Sequence, residues 1–475
     1  MKWFEENNDH FWIGLLAVAV LLNLLAVYNS DLGLDVHVKS AYVETDDGYV
    51  LDWGDTRQSN PDASDPEQAK IVDSPPSIIP PIVGLILLIL VFVSFSTINN
   101  NIPIIGMILL HPTLVFSSGK SYDELLILSI FGTGTLLLNS AYARSEISPV
   151  SMNAKLVAYS VMITAILIKL NSESWIELFI IGIIISAIIT FFVPKLNLNS
   201  QYMLVGGFLL GIITIVMLGL AGYGTSKIIF DEPTRFMYSL PFSVLNVVFI
   251  YTLFGMILWP FASSTWRKMG EIDDDLACEL SLIVGGMGGL ITAYVAVLWT
   301  YESILWNSEW PWHMITMGNN GRYITILAIP IWILINRVNG EVDWKDKGVF
   351  IGICLILPFS LLAGIHGQTM WTDEAANSME LDEGAHFLFV SDATLGMHWL
   401  YTFHEPLDAE KNNITGHWRS DDSSWEGDLE DELRHIDWLV LSPEIDETPD
   451  GWKVIDSGTA DYLNGGGTWR VLVRL

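Results

Sequence analysis

Two short stretches carry acids and bases in the arrangement that hydroxyl activation needs. The first is Asp31-Leu-Gly-Leu-Asp35-Val-His37-Val-Lys39, directly after the first long apolar block. A carboxylate fixed where a helix leaves a membrane can take a proton from an acceptor hydroxyl, because positioning contributes more than a large pKa shift. The competing reading is a solvated loop acid with no role. The second stretch is His111-Pro-Thr-Leu-Val-Phe-Ser-Ser-Gly119-Lys120-Ser-Tyr-Asp123-Glu124. Asp123 and Glu124 fit acid–base work, and they also fit the start of the next helix, whose dipole favours negative charge. His111 closes an apolar block and reads as a packed interfacial histidine rather than a ligand.

Two arginines add a third chemistry. Arg235, in Asp231-Glu-Pro-Thr-Arg235-Phe-Met-Tyr238, and Arg322, in Gly321-Arg322-Tyr323, each stand just before an apolar block. The planar guanidinium fork suits phosphate oxygens; an interfacial arginine that snorkels is the other reading. Cys278 and Cys354 are the only cysteines, each beside or inside an apolar block, so neither a disulfide framework nor a zinc cluster is expected. In the C-terminal region His398 and His404 form no metal or nucleophile constellation, which places the chemistry elsewhere.

The elements that must position these residues are membrane helices. The chain has 475 residues, 51% hydrophobic and 16% charged, with its apolar residues gathered in long blocks. Phe11 to Tyr28 is the first; the segment before it carries more acid than base and no cleavage pattern follows, so it reads as a retained anchor. Further blocks lie near 77–97, 101–118, 124–143, 152–170, 174–193, 202–222, 242–262, 280–300, 322–338 and 348–366. That makes about eleven spans, an odd number, with the termini on opposite faces. Sorting short-loop basic residues gives nine on the N-terminal face (Lys2, Arg144, Lys155, Lys195, Arg267, Lys268, Arg337, Lys345, Lys347) and five opposite (Lys120, Lys169, Lys227, Arg235, Arg322). This bias predicts a cytoplasmic N-terminus and an extracellular C-terminal domain in the plasma membrane.

The expected fold class is therefore an α-helical polytopic membrane protein with a small external C-terminal α/β domain. Its parts are an anchor helix (1–29), a first external loop with the acidic motif (30–76), a multi-helix membrane domain (77–366) and a soluble domain (367–475). In the last, His386 to Val390, Trp438 to Leu441, Trp452 to Ile455 and Trp469 to Val473 read as strands, and Asp428 to His435 as a polar helix. Asn413-Ile414-Thr415 is a glycosylation triplet in keeping with an external position. Ser30 to Pro76 has 11 acidic and 3 basic residues, and Gly367 to Leu475 has 23 and 6, so these two regions hold −25 of the net −31. Acidity of this kind argues against nucleic acid or anionic headgroups as their partners and fits solubility or a saline habitat.

Leu34-Asp35-Val-His37-Val-Lys-Ser-Ala41-Tyr42, followed by Gly48-Tyr-Val-Leu-Asp-Trp-Gly54-Asp, resembles the first external loop of GT-C glycosyltransferases. His111-Pro112 through Ser118-Gly119 with Asp123-Glu124 resembles the second external acidic segment of that superfamily, and Gly321-Arg322-Tyr323 with Pro330 its late Arg-Tyr helix start. The resemblance covers most of the membrane body. It implies inverting transfer of a sugar from a polyprenyl-phosphate (dolichyl-phosphate-like) carrier in the membrane lipid to a glycan, lipid or protein acceptor on the outer face. Asp35 would be the general base, and Arg322, Arg235 or Lys120 would stabilise the lipid-phosphate leaving group. His37, Asp123, Glu124 and Tyr323 fall among the substrate-binding positions. The family's adjacent acidic pair is missing, since position 34 is Leu; Asp31, four residues earlier, can substitute. The Trp-Trp-Asp motif of oligosaccharyltransferases is absent. No resident cofactor is called for, with a divalent Mg or Mn ion the one addition left open.

Two other classes compete. A secondary transporter would place ionisable or broken-helix elements near the midplane in matching halves, whereas only Gly285-Gly-Met-Gly-Gly289 offers such an element, and close helix packing explains it better. A sensor or binding protein with the helices as platform leaves the outward arginines and the first-loop motif without purpose.

Overall fold

The structure is a computed structural model that describes residues 8–30, 49–52, 68–71, 79–94, 101–143, 152–170, 174–196, 198–272, 274–305, 311, 314, 318–340, 342–365, 370–391, 403, 406–407, 414–421, 423–460 and 467–475. These residues divide into a helical unit (1–28, 79–118 and 123–366) and a sheet unit (29–78, 119–122 and 367–475).

The helical unit begins with α1 (Asn8–Asn29), α2 (Ile79–Ser94), α3 (Asn101–Leu110) and α4 (Pro112–Gly119). α5 (Glu124–Ala143), α6 (Met152–Leu170), α7 (Trp175–Phe192), α8 (Ser200–Leu220) and α9 (Pro233–Val244) follow. Its last members are α10 (Trp259–Met269), α11 (Asp275–Leu305), α12 (Ala328–Asn339) and α13 (Lys347–Ile365). Among the described residues nine helices are long and apolar enough to cross a membrane, or ten if the bent pair α3–α4 is one span, and Ile79–Val93 is a shorter apolar helix. The chain is thus an integral membrane protein. The expected eleven spans compare with nine or ten, the difference falling on the short α2 and the bend. On α7 the side chains Ile176, Ile180, Ile181, Ile184, Ile185 and Ile188 are all at least half exposed. A helix apolar on every side needs lipid rather than water around it.

Local chemistry explains where the apolar blocks depart from simple helices. The block 101–118 bends by 62° at His111, because Pro112 has no N–H to donate and its ring clashes with the carbonyl that a continuous helix would place four residues earlier. Asn23 secures the bend: its amide donates to the carbonyls of Ala19 and Leu109, each at 2.9 Å, and its oxygen accepts from Ser118 Oγ at 2.8 Å. The block read as 242–262 straddles a break. The span runs Pro233–Phe254, its second half (Leu245–Phe254) wound as a π-helix, and α10 is a separate helix. Arg235, Ser239 and Ser243 lower the local hydropathy of α9 and conceal its membership in the span. The block 322–338 opens not as α-helix but as a 3-10 helix, Gly318–Leu327.

Glycines weld α8 to α11. A Cβ on Gly211 would lie 2.2 Å from the Gly286 carbonyl oxygen, and one on Gly289 would lie 2.0 Å from that of Phe208. The Gly285–Gly289 run therefore serves backbone-to-backbone packing, its partners being Gly207 and Gly211. Gly211→Ala should lower the detergent-solubilised protein's stability by about 1–3 kcal/mol, read as a fall in thermal midpoint. Gly206→Ala, whose Cβ meets nothing within 4 Å, should be neutral or slightly stabilising; equal effects at both sites would refute the packing account.

Among the described residues the sheet unit holds seven strands, β1 (Tyr49–Asp52), β2 (Gln68–Ile71), β3 (His386–Ser391), β4 (Thr415–Ser420), β5 (Trp438–Leu441), β6 (Trp452–Thr459) and β7 (Thr468–Arg474), in the order β2-β1-β4-β3-β5-β7-β6. β1, β4, β3 and β5 run parallel, and the edges are antiparallel. β1 and β2 come from the first loop, and β1 pairs with the C-terminal strand β4, so strands from the two acidic regions share one sheet. One face packs Phe387, Phe389 and Trp418 with Trp371 of α14 (Trp371–Asn377). The other packs Leu388 and Val390 with Trp425 and Leu429 of α15 (Trp425–Glu430). β4 carries Gly-His-Trp-Arg and no β-branched run, so propensity does not announce it. The polar helix read at Asp428–His435 ends at Glu430, where the Leu433 amide reaches back to the Asp428 carbonyl at 2.8 Å and begins a turn.

Candidate functional site

At one end of the helical unit a charged cluster assembles around the start of α5. α5 and α6 are antiparallel neighbours, which brings the N-terminal residue Glu124 beside Lys169 near the end of α6. Lys169 Nζ lies 3.3 Å from Glu124 Oε1 and pairs directly with Asp123. Arg322 arrives from the 3-10 segment, its Nε 3.1 Å from the same Glu124 oxygen across 198 residues of sequence. Both Glu124 and Arg322 are only 4% exposed. Tyr323 forms the floor, with the Arg322 guanidinium 4.8 Å and Lys169 Nζ 5.5 Å from its ring centre. Glu124 Oε2 is buried and has no hydrogen-bond partner among the described residues. A buried carboxylate oxygen in that condition is costly unless a further donor reaches it.

The 3-10 segment is held by the π-helix beside it. A Cβ on Gly321 would lie 2.2 Å from Asn246 Oδ1 and 2.4 Å from the Tyr251 ring, so only glycine admits this approach. The neighbouring Asn320 amide donates to Glu302 Oε1 at 3.2 Å, and Thr325 Oγ1 donates to the Arg322 carbonyl at 2.7 Å. His111 is the packed histidine expected: its ring stacks on Tyr251, Nε2 is 3.0 Å from the Tyr251 carbonyl, and Nδ1 accepts the Thr113 amide.

Of the residues singled out in the sequence, Asp123, Glu124, Arg322 and Tyr323 come together, with Lys169 as the cation joining them. Arg235 pairs with Glu232 at 3.7 Å and donates to the Ser303 carbonyl and hydroxyl. Lys120 is buried and belongs to the sheet unit. Asp31, Asp35 and His37, with His398, His404 and Asn413, lie outside the described residues.

A second buried ionic group escaped sequence reading. Toward the opposite ends of α5 and α6, Glu279 accepts from Lys155 at 2.9 Å and from Tyr142 and Tyr159, each at 2.5 Å. Every charge here is met, which marks a structural clamp between α5, α6 and α11 rather than a reactive centre. Lys155→Met should destabilise the solubilised protein by about 3 kcal/mol, and adding Glu279→Gln should restore much of the lost thermal midpoint. A double variant no better than the single one would argue against the clamp.

In the sheet unit three histidines converge: His386, His417 and His435 place one ring nitrogen each within 4.8 Å of the others. Burial first, then the two neighbouring imidazoles, lowers the His386 pKa below the ordinary histidine value. Comparison of the chain with protein-family models, curated proteins and solved structures returns no match.

Proposed function

We propose that the chain is a membrane glycosyltransferase of GT-C type, moving a sugar from a polyprenyl-phosphate carrier to a hydroxyl of a glycan, lipid or protein acceptor with inversion at the anomeric carbon. The observation that carries the reading is the convergence of Asp123-Glu124 with Arg322-Tyr323, two distant segments that each resemble that superfamily, in one buried cluster at the end of the membrane helices. In this reading Arg322 and Lys169 receive the carrier phosphate, Glu124 Oε2 accepts a hydroxyl of the bound sugar or acceptor, and Asp35 takes the acceptor proton. The cluster faces outward and the N-terminus is cytoplasmic, in keeping with the basic-residue bias. The glycine weld between α8 and α11 weighs against a transporter, since it leaves no glycine hinge there to open.

Native mass spectrometry of the gently solubilised protein tests the carrier assignment. A co-purifying polyprenyl phosphate or its glycosyl ester, displaced by added polyprenyl phosphate, is the expected result. Retention of no such lipid, together with no transfer from a mixed pool of polyprenyl-phosphate sugars, would overturn the proposal.

A further inference from the structure

The three histidines of the sheet unit lie far apart in sequence and meet because of the sheet. β3 and β4 are parallel, with His386 opposite Thr415 and Leu388 opposite His417. Side chains alternate along a strand, so His386 and His417 project to the same face as Leu388 and Val390. That face is covered by α15 and the turn after it, and His435 stands at the end of this turn. The turn is pinned on three sides. Arg419 of β4 bonds Asp428 at 2.7 Å and Glu432 at 2.6 Å, and the flanking Leu433 and Ile436 are buried in the core.

The result is a cup of imidazoles. His386 Nδ1 lies 3.1 Å from His417 Nε2; the His435 ring stands edge-on to both, its centre 4.9 and 5.7 Å from theirs. A tetrahedral zinc ion with bonds of 2.0–2.1 Å to nitrogen sets its ligand atoms about 3.3–3.4 Å apart. The 3.1 Å pair is already close to that spacing, and a ring nitrogen of His435 lies within 4.8 Å of the other two. His417 is 8% exposed while His435 is exposed, so the cup has an inner wall and an open mouth.

We infer that His386, His417 and His435 form a binding site for a divalent transition metal ion, zinc above all, with a coordination position left open to water or an anionic ligand. Three neutral imidazoles, with no carboxylate in the group among the described residues, favour Zn, Cu or Ni over Mg, Mn or Ca. The net −17 of residues 367–475 draws cations toward the domain and offsets the charge that the neutral ligand set leaves on the ion. The ion would tie β3, β4 and the α15 turn together, so its binding adds to the stability of this unit. This inference is independent of glycosyl transfer.

The test uses the full-length solubilised chain, stripped with a chelator and titrated with zinc sulfate against a chromophoric competitor. One equivalent should bind with sub-micromolar affinity, calcium should not compete, and cobalt should give the visible absorption of a four-coordinate site. His435→Ala removes an exposed ligand without touching the core and should weaken zinc binding by about a hundredfold. His417→Asn should do the same, with circular dichroism confirming the fold. Absence of stoichiometric binding, uptake that calcium abolishes, or zinc affinity unchanged in His435→Ala would each overturn the site.

Discussion

Asp35→Asn is expected to lower sugar transfer by roughly a hundredfold or more while leaving carrier binding nearly unchanged. The substitution keeps the side chain's size and removes its capacity to take a proton, so a general base is lost without a phosphate contact being lost. α1 ends at Asn29, so in sequence Asp31 follows the helix by two residues and Asp35 by six. The measurement is initial transfer rate under saturating carrier, paired with carrier affinity. If Asp31→Asn abolishes transfer and Asp35→Asn does not, the base lies four residues earlier. If neither matters, Asp35 and Asp31 are solvated acids and the glycosyltransferase reading fails with them.

Hydropathy carried most of the helical architecture into view, because spanning length and composition are one-dimensional properties. It failed where a polar stripe or a proline changes the helix type. Arg235, Ser239 and Ser243 hid the first half of the Pro233–Phe254 span, and Pro112 turned one apolar block into two helices. The acidic pair and Arg322 were legible as chemistry, since charge at a membrane end needs a reason. Their mutual pairing was not, because a contact across 198 residues depends on the π-helix and on Gly321, neither of which leaves a local signal. Lys169 read only as an outward basic residue, and Glu279, one residue before the block 280–300, drew no reading at all. The histidine cup was hidden for a related reason. His386 begins an evident strand, but His417 lies on a strand without β-prone sequence, and His435 sits where a helix was expected to continue. Cross-strand register, which sequence spacing does not encode, decides that they meet.

The charge balance of the membrane-end cluster gives the sharpest contrast between a binding role and a purely structural one. Asp123 and Glu124 face Lys169 and Arg322, two charges against two, so these four side chains balance. Arg322→Ala leaves them with one excess negative charge and Glu124→Gln with one excess positive charge. A carrier phosphate responds to that sign. Arg322→Ala should weaken polyprenyl-phosphate binding by about 10- to 100-fold and reduce turnover as well, because a charge-assisted contact is lost in ground and transition states alike. Arg322→Lys should recover only part of this, since an ammonium lacks the planar fork. Glu124→Gln should bind the phosphate as tightly as wild type or tighter, because Arg322 and Lys169 are released from their shared carboxylate, yet it should transfer more slowly if Glu124 orients a sugar hydroxyl. A structural ion pair predicts something else: both variants lose thermal stability, because each strands a buried charge, and carrier affinity falls in both. Opposite signs in carrier affinity, measured on variants whose thermal midpoints are recorded alongside, support the phosphate site, and parallel losses in both variants exclude it.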